Sequence, residues 1–511
     1  MFKKYLMAES NGAKLHSRYN PRAEAVRYID SLNLKSSLNC FILIEPGLGY
    51  IIPVLRERFT KGKIIVLHIE NFEKKAEIAS EPPPDEGLQV IEATFPPETE
   101  PALIQQFLEA HIQEENTSNI KIIEWRPSLN LYKDAYVKLF SRVLEYIKRA
   151  DAGFRTTAVF GRRWVRNFFR NLKYLNKILL YRQSDIPVIV TGSGPGLEQA
   201  LPFIRRARGN CMILAASSSV TALYHNGIAP DIIITTDGAP WALWHILSGI
   251  RSGETRSVSL SKAPYALNLC AALPSQCADA PKLIINDGSL WQSIVLRELS
   301  IPSVIIPQRG TVSATAVELA MTLSLGSIYT AGMDFSFNDI RTHVKPYGFD
   351  NLFNGRANRL APLYTELFTR SALIREGGSM DIYAAWFKNQ LSSWPERIYS
   401  ITDGNNIFNY KNELLLRELQ EKQIKTKDIT RCFNIVNLKD EYAREILTMG
   451  ARSNAKKSGM PRSARALFDA MKNPEYKEKL TSELTSLLFP GETDIKTDKL
   501  EASILRISDV R

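Results

Sequence analysis

Short apolar runs separated by amphipathic stretches dominate the middle of the chain. Between residues 185 and 335 these runs stop at Gly, Ser, Thr, Asn or Pro, and they predict six buried strands: Pro187–Thr191, Cys211–Ala216, Asp231–Thr235, Lys282–Asn286, Ser303–Pro307 and Ser327–Gly332. Strands that are apolar on both faces are typical of a parallel sheet covered by helices. The pattern therefore predicts an α/β fold with a central doubly wound parallel sheet.

A smaller α/β region precedes this sheet. Its predicted strands and helices alternate along the chain: Cys40–Glu45, Tyr50–Phe59, Lys63–Glu70, Leu88–Phe95, Ala102–His111 and Asn119–Trp125. The proline-rich stretch at 80–87 predicts a loop, and the charged stretches Asn412–Glu421 and Ser463–Met471 predict a helical C-terminal region. We expect four parts, with an N-terminal α/β domain at 1–130, a helical linker at 131–184, a central ligand-binding domain at 185–405 and a helical C-terminal domain at 406–511.

Part of the excess of basic over acidic residues in this chain comes from one segment of the predicted linker. The chain carries 65 Lys and Arg against 54 Asp and Glu, and residues 161–182 hold seven basic residues and no acidic one, with apolar residues at roughly helical spacing. The segment predicts a basic amphipathic helix. We favour a helix whose apolar face covers a domain over one that binds a membrane or nucleic acid, because no nucleic-acid motif is present.

Composition excludes several classes of protein. With 511 residues, 44% of them hydrophobic, the chain is typical of a multidomain globular protein rather than a disordered one. Its apolar runs are too short to cross a bilayer, and its N-terminus lacks a secretion signal. The five cysteines are scattered and form no zinc-binding spacing. We expect a cytoplasmic protein with no stable membrane insertion and no nucleic-acid partner.

Candidate chemistry lies where the central strands end, because open parallel sheets bind ligands beyond the carboxyl ends of their strands. These ends are rich in small polar residues: Thr191-Gly-Ser-Gly-Pro-Gly196, Ser217-Ser-Ser219, Thr235-Thr-Asp-Gly238, Asn286-Asp-Gly-Ser289, Gly310-Thr-Val-Ser313 and Gly332-Met-Asp334. The glycines Gly192, Gly194 and Gly196 allow close approach to a ligand and turn N–H groups toward an anion. A phosphate-bearing ligand fits this pattern, and a structural tight turn is the alternative.

Three familiar signatures are absent from the sequence. Leu197 stands where a dinucleotide fingerprint needs its third glycine, no P-loop motif occurs, and no Asp-x-Asp triplet offers a sugar-nucleotide metal site. These absences disfavour a nicotinamide cofactor and a P-loop kinase. They favour a metal-independent reaction.

Residues 187–238 closely resemble the core domain of the motility-associated factor (Maf) family of flagellin glycosyltransferases, a domain type also found in archaeal hydroxymethylpterin diphosphokinases (MptE-like proteins). The resemblance continues through 310–320, 328–335 and Thr342-His343, where bacterial sialyltransferases look similar, and upstream through Ser17-Arg-Tyr-Asn-Pro21 and Gly47-Leu-Gly-Tyr50. It implies a Rossmann-like, sialyltransferase-like central domain. It also implies transfer of a nonulosonic acid, of the pseudaminic or legionaminic type, from a CMP-activated donor to Ser or Thr hydroxyls of flagellin, without a further cofactor.

The resemblance also implies roles for particular residues. The nucleotide-sugar site would be formed by Gly192, Ser193, Gly194, Gly196, Ser217, Ser218, Asp237, Gly310, Thr311 and Ser313. Among six histidines, His343 follows the sixth strand and is the candidate general base, whereas His16, His68, His111 and His245 lie outside the strand-end series and His225 reads as the end of a helix. Asp334 is the second catalytic candidate, as the residue that orients the site.

Two departures from the family pattern leave alternatives open. Ser336 and Phe337 stand where sialyltransferases place the tyrosines that hold the leaving phosphate, with only Tyr347 nearby, and Gly196 replaces a serine. A pyrophosphokinase acting on a pterin alcohol, or a flagellin-binding protein without catalysis, is therefore an alternative. A methyltransferase site at Glu45-Pro-Gly-Leu-Gly49 and Glu70 is a further one, against which a structural turn is preferred.

Overall fold

A computed structural model describes most of the chain, and the fold below rests on those residues: 9–10, 13–59, 61–69, 88–112, 117, 119–251, 260–307, 309–336, 340–365, 368, 379–391, 393–402, 407–410, 431–437, 462–490, 492 and 495–508. The chain divides into two compact units, Met1–Val159 and Phe160–Arg511. No helix within the described ranges is both long and apolar enough to cross a membrane.

The first unit is built on a four-stranded parallel sheet. A short hairpin (β1 Glu9–Ser10, β2 Ala13–Lys14) precedes its strands, which are β3 (Cys40–Ile44), β4 (Lys63–His68), β5 (Gln89–Thr94) and β6 (Ile120–Glu124). Their order is β5-β4-β3-β6, so the chain reverses direction across the sheet between β3 and β6. The unit's helices are α1 (Pro21–Ser31), α2 (Ile51–Arg58), α3 (Pro101–His111) and the first part of α4 (Arg126–Lys173). Buried Ile, Leu and Val side chains on both faces of β3 and β4 form two core layers.

The second unit is built on a larger sheet, with 11 strands in the described residues. These are β7 (Lys177–Tyr181), β8 (Val188–Thr191), β9 (Met212–Ala216), β10 (Ile232–Thr235), β11 (Tyr265–Asn268), β12 (Lys282–Asn286), β13 (Ser303–Ile305), β14 (Ile328–Ala331), β15 (Ile398–Ser400), β16 (Asn409–Tyr410) and β17 (Phe433–Asn437). The order is β16-β15-β14-β8-β9-β10-β11-β12-β7-β17, with β13 also on β12, and only β17 runs antiparallel to its neighbour. After β7, which lies on the far side of β12, the chain enters the centre of the sheet at β8, builds outward through β9 to β13, and returns to β14 on the other side of β8. The doubly wound α/β fold predicted from the sequence is confirmed.

Helices cover both faces of this sheet. After the end of α4 they are α5 (Leu197–Ala207), α6 (Val220–His225), α7 (Ala242–Arg251), α8 (Leu290–Glu298), α9 (Val312–Leu323), α10 (Asp350–Arg356), α11 (Ser379–Leu391), α12 (Arg462–Lys472), α13 (Pro474–Leu488) and α14 (Thr497–Ser508). The C-terminal helices α12 to α14 add their apolar faces to the core beside α8. Glu483 of α13 accepts the N–H groups of Leu290 and Trp291 at 3.2 and 3.0 Å, which caps the start of α8.

Several elements differ from the prediction. The basic helix ends at Lys173, and residues 177–181 form strand β7, because Ile178 and Leu179 are buried in the sheet rather than spaced along a helix. The C-terminal region is not wholly helical, since β16 and β17 join the central sheet. Ser463–Met471 is helical as predicted, within α12, while the predicted loop at 80–87 and helix Asn412–Glu421 lie outside the described residues. The domain boundaries stay a prediction.

The predicted covering role of the basic helix is confirmed. Val165, Phe168 and Phe169 of α4 are buried in the core of the second unit. Asn167 Nδ2 donates to the carbonyl oxygens of Gly238 (3.1 Å) and Cys270 (2.9 Å), so the inner face of the helix also clamps two loops of the sheet.

Candidate functional site

Two loops cross at the point where the second sheet changes direction, between β8 and β14. The glycine turn after β8 donates backbone N–H groups to the end of β14 and to the loop after it: Gly192 to Ala331 O at 2.8 Å and Gly194 to Gly332 O at 2.7 Å. The next donor, Gly196 N–H, reaches the Asp334 carboxylate at 2.8 Å. Crevices at such switch points are where open α/β sheets bind their ligands.

The glycines are required by this crossing. A Cβ on Gly194 would lie 2.1 Å from Asp334 Oδ2, and one on Gly196 would lie 2.1 Å from Asp334 Oδ1. Gly332 has φ of +66°, and a Cβ there would meet Gly192 O at 2.6 Å. The sequence analysis predicted that these glycines turn N–H groups toward a phosphate. In the structure the N–H groups of Gly192, Gly194 and Gly196 donate to acceptors of the same chain.

Asp334 holds the glycine turn by accepting the N–H of Gly196. Burial raises the pKa of its carboxyl above the usual value, and the hydrogen bond from Gly196 partly offsets that rise. Removing the carboxylate would leave the partly buried Gly196 N–H without its acceptor, which costs stability. The residue's place therefore fits the positioning role that the sequence analysis gave it.

His343 lies beside the same turn. The N–H of the next residue, Val344, donates to Ser193 O at 2.9 Å, and Glu198 accepts from Arg341 Nη1 (2.8 Å) and Lys345 N (2.9 Å). These bonds fix the loop that carries the histidine. The His343 ring stacks on Tyr347 with centroids 4.1 Å apart, and its Nδ1 is 2.6 Å from Thr342 Oγ1. When Nδ1 donates to Thr342, Nε2 is the basic nitrogen.

A second histidine, His245 on α7, reaches the same aromatic cluster. Its ring centroid is 5.5 Å from Tyr347 and 5.0 Å from Phe349. Burial lowers the pKa of His245 to about 4, so the ring is neutral at physiological pH. The sequence analysis set His245 aside as lying outside the strand-end series. The structure corrects this, because α7 begins in the loop after β10 and packs against Gly348 of the His343 loop.

The ends of β9 and β10 bring three further predicted residues to this edge. Ser217 is buried and Ser218 half-buried in a 3-10 turn, Ser217–Ser219, that leads into α6. Asp237 is exposed after β10 and accepts the N–H of Ala239 at 2.8 Å. Tyr383 of α11 lies within electrostatic reach of Asp237: burial, and secondarily the Asp237 charge, raise its pKa. Sequence reasoning missed Tyr383, which no motif marks.

The N-terminus of α9 supplies a second possible anion contact. Gly310 has φ of +74°, and Thr311 caps the helix by accepting the N–H of Ala314 at 2.9 Å. Ser313 lies in the first turn, whose leading N–H groups have no partner within the helix itself. The neighbouring Arg309 pairs with Glu318 at 2.9 Å and lies over the Trp386 ring of α11. These contacts place the predicted Gly310, Thr311 and Ser313 next to the helix that carries Tyr383.

The switch point of the first unit, between β3 and β6, is arranged differently. The His16 ring lies in this crevice: its Nε2 accepts the Leu48 N–H at 2.8 Å, and the ring stacks on Trp125 with centroids 5.2 Å apart. A Cβ on Gly47 would lie 2.3 Å from His16 Nε2. Gly47 of the Glu45–Gly49 turn therefore makes room for a side chain of the same chain, which fits the structural turn that the sequence analysis preferred at this place. In the described part of the molecule no group of three or more His, Cys, Asp or Glu side chains could hold a metal ion.

The chain is similar to known proteins both in the sequence of its central part and in its overall fold. Residues 162–339 match the family model described as 6-hydroxymethylpterin diphosphokinase MptE-like. The solved structure of a Maf glycosyltransferase from Magnetospirillum magneticum AMB-1 superposes with a TM-score of 0.52, covering 98% of this chain and 84% of that one at 13% sequence identity. The chain is thus a doubly wound α/β protein with a polar strand-end crevice. More particularly, its residues 162–339 are similar to MptE-like proteins and its fold is similar to that of a Maf glycosyltransferase, as the sequence resemblance predicted.

Two relatives come from Treponema pallidum (strain Nichols), and both are described as uncharacterized proteins. One is 27% identical over 285 residues, which are 56% of this chain and 60% of the relative. Another is 25% identical over 228 residues, covering 42% of this chain and 37% of the relative. The chain therefore matches less than two thirds of the length of either relative.

Proposed function

We propose that this protein is a glycosyltransferase that moves a nonulosonic acid from a CMP-activated donor to Ser or Thr hydroxyls of flagellin. The observation that carries the proposal is the crossing at the β8 and β14 switch point, which holds His343 beside the glycine turn through the 2.9 Å bond from Val344 to Ser193. The shared fold with a Maf glycosyltransferase supports the reaction class. The sugar type, the flagellin acceptor and a cytoplasmic setting follow from the sequence resemblance.

The proposed step uses the chain's own residues and no metal or cofactor. His343 Nε2 takes the proton of the acceptor hydroxyl, whose oxygen bonds to the anomeric carbon. The bond from that carbon to the phosphate oxygen breaks, and CMP leaves with the electron pair. Ser217, Ser218 and the first turn of α9 donate to the phosphate as its charge grows, since preorganised donors are most effective where water is excluded. Asp334 keeps the glycine turn in place.

A second candidate is a pyrophosphokinase acting on a pterin alcohol, which the MptE-like match over residues 162–339 favours. In that reaction the same strand-end donors would hold ATP, and Asp237 would face its metal ion. The two reactions differ in their nucleotide, their acceptor and their need for magnesium.

The test incubates the purified protein with unglycosylated flagellin and CMP-legionaminic or CMP-pseudaminic acid, with and without a chelator. We expect a mass increase of one sugar per modified residue that survives chelation and is lost in the variant His343→Asn. Diphosphate transfer from ATP to hydroxymethylpterin would instead establish the kinase. Flagellin binding without either reaction would establish a non-catalytic partner protein.

A further inference from the structure

The backbone of the loop that carries His343 is fixed on both sides of the histidine. The Glu198 carboxylate of α5 accepts from Arg341 Nη1 at 2.8 Å and from Lys345 N at 2.9 Å. The Val344 N–H, between them, donates to a carbonyl oxygen of the glycine turn after β8 at 2.9 Å. These bonds fix the course of the chain and leave the rotation of the imidazole about its side-chain bonds to contacts that the ring itself makes.

Two such contacts set the orientation of the His343 ring. Along its edge, Nδ1 lies 2.6 Å from Thr342 Oγ1. Across its face, the Tyr347 ring stacks with centroids 4.1 Å apart and an angle of 19° between the two planes. Nearly parallel rings at this separation are in direct contact. The Tyr347 ring therefore restricts the rotation of the imidazole and with it the direction in which Nε2 points.

Tyr347 is itself held in place by its neighbours. Its N–H donates to Asp350 Oδ2 at 2.7 Å, and its carbonyl oxygen accepts the Asp350 N–H at 2.9 Å. Its ring centroid lies 5.5 Å from His245 and 5.6 Å from Phe349. A Cβ on the next residue, Gly348, would lie 3.1 Å from His245 Cα, so the backbone packs closely on α7. The ring that contacts the imidazole is thus supported by both its backbone and the side chains around it.

The proposed transfer step gives this stack a chemical consequence. His343 becomes a cation when its Nε2 takes the proton of the acceptor hydroxyl, and a cation within about 6 Å of an aromatic centroid is attracted by the π face. His245 does not oppose this charge, because burial lowers the pKa of its ring to about 4 and keeps it neutral.

We propose that Tyr347 is a positioning residue that acts through its ring, by orienting the His343 imidazole and favouring the charge that forms on it. The proposal rests on the glycosyltransferase function above. It gives Tyr347 a different role from that of the sialyltransferase tyrosines that hold the leaving phosphate, since the hydroxyl of Tyr347 is not needed.

The test compares kcat and the donor KM of the whole protein for Tyr347→Leu and Tyr347→Phe, with unglycosylated flagellin and CMP-legionaminic or CMP-pseudaminic acid. Tyr347→Leu should lower kcat about tenfold and leave KM unchanged, since the ring acts on the chemical step. Tyr347→Phe, the matched control, keeps the ring and should keep most of kcat. In the background of His343→Asn the leucine variant should cause no further loss, because Tyr347 acts through His343. Unchanged CMP affinity in each variant, measured by calorimetry, shows that the variants are folded.

A second readout does not depend on turnover. The ring current of a stacked tyrosine shifts the NMR signals of the imidazole, which are assigned in isotope-labelled histidine by their loss in His343→Asn. These signals should move in Tyr347→Leu and stay close to their wild-type positions in Tyr347→Phe.

Three results would overturn the role of Tyr347. Equal losses of kcat in the leucine and phenylalanine variants would show that the hydroxyl acts rather than the ring. An undiminished effect of Tyr347→Leu in the His343→Asn background would show that Tyr347 acts elsewhere. Imidazole signals that do not move in Tyr347→Leu would show that the rings are not stacked. Absence of transfer by wild type, with the expected NMR shifts intact, would instead refute the proposed function, and the catalytic role of Tyr347 with it.

Discussion

The two units carry the same feature and use it in different ways. Each has a parallel sheet that changes direction, and at each switch point a glycine-containing turn follows the first strand. In the first unit the turn at Gly47 makes room for the His16 ring, 2.3 Å from where a Cβ would be. In the second unit the turn at Gly194 and Gly196 wraps around Asp334. A glycine turn at a strand end thus indicates that another group lies very close to the backbone, and that group can be a side chain of the same protein rather than a ligand.

The difference lies in what surrounds each turn. His16 is stacked on Trp125 and in edge contact with Tyr50, so aromatic side chains fill the first crevice. In the second unit Asp334 accepts the Gly196 N–H of the turn, and Ser218, Thr311 and His343, which follow strand ends of the same sheet, are partly exposed. We infer that the second crevice binds ligand and that the first is a packed structural joint.

The largest effect that we expect is on turnover, and it should distinguish His343 of the second unit from His16 of the first. His343→Asn should lower the turnover of glycosyl transfer by about 10² to 10⁴, the usual contribution of a general base, without changing CMP affinity. His16→Asn should leave turnover unchanged. Steady-state kinetics of both variants checks this, and His343→Asn with more than a tenth of wild-type turnover would remove the histidine from the mechanism.

Glycine replacement probes the crossing itself. Gly196→Ala places a Cβ 2.1 Å from Asp334 and disturbs the hydrogen bond between them, so we expect unfolding free energy to fall by about 3 kcal/mol. Gly227→Ala is the matched control, because Gly227 has φ of +72° and, apart from its chain neighbours, no heavy atom lies within 4 Å of the position that its Cβ would take. Backbone strain alone should cost that control about 1 kcal/mol. Equal urea midpoints for the two variants would contradict the crossing.

The burial of His245 should make the stability of the second unit depend on pH. Its folded pKa of about 4 lies below the unfolded value of about 6.5, so the unfolded chain takes up a proton first as pH falls. Stability should therefore drop by about 2 kcal/mol between pH 7.5 and pH 5. His245→Gln should flatten this part of the stability profile, measured by urea unfolding, and an identical slope in both proteins would exclude His245 as its source.

Removal of the His16 ring tests the packed joint in the first unit. His16→Ala deletes the acceptor of the Leu48 N–H and the stack on Trp125, and we expect a local loss of about 1.5 kcal/mol. Hydrogen exchange should speed up at residues 47–52 and stay unchanged at residues 192–197. Faster exchange at both turns would show that the two units do not behave independently.

The smallest effect concerns the basic helix. Arg166 is exposed and Arg163 lies 5.6 Å from the Phe160 ring, so charge reversal of both should change stability by about 0.5 kcal/mol or less. We predict that Arg163→Glu with Arg166→Glu weakens flagellin binding more than CMP binding. Equal losses of both affinities would contradict a docking role for this helix.

Local patterns in the sequence predicted the strands that carry the site, because runs such as Val188–Thr191 and Ile232–Thr235 are apolar up to a final threonine. The sequence analysis did not predict β11, because Tyr265–Asn268 lacks β-branched residues. It predicted a helix where β7 lies, because the leucines of β7 continue the helical spacing of α4. The bond between Gly196 and Asp334 joins residues 138 positions apart. No local pattern encodes such a contact, nor the approach of His16 to Gly47.

The central claim is that CMP binds at the second switch point and not at the first. The most direct measurement is the melting temperature of wild type, Gly196→Ala and His16→Ala with CMP, with ATP and magnesium, and with S-adenosylmethionine. At 100 times its dissociation constant a ligand stabilises by about 2.7 kcal/mol. We predict that CMP alone raises the melting temperature of wild type and of His16→Ala, and that Gly196→Ala loses the shift. Stabilisation by S-adenosylmethionine that depends on His16, or by ATP with magnesium in place of CMP, would contradict the account.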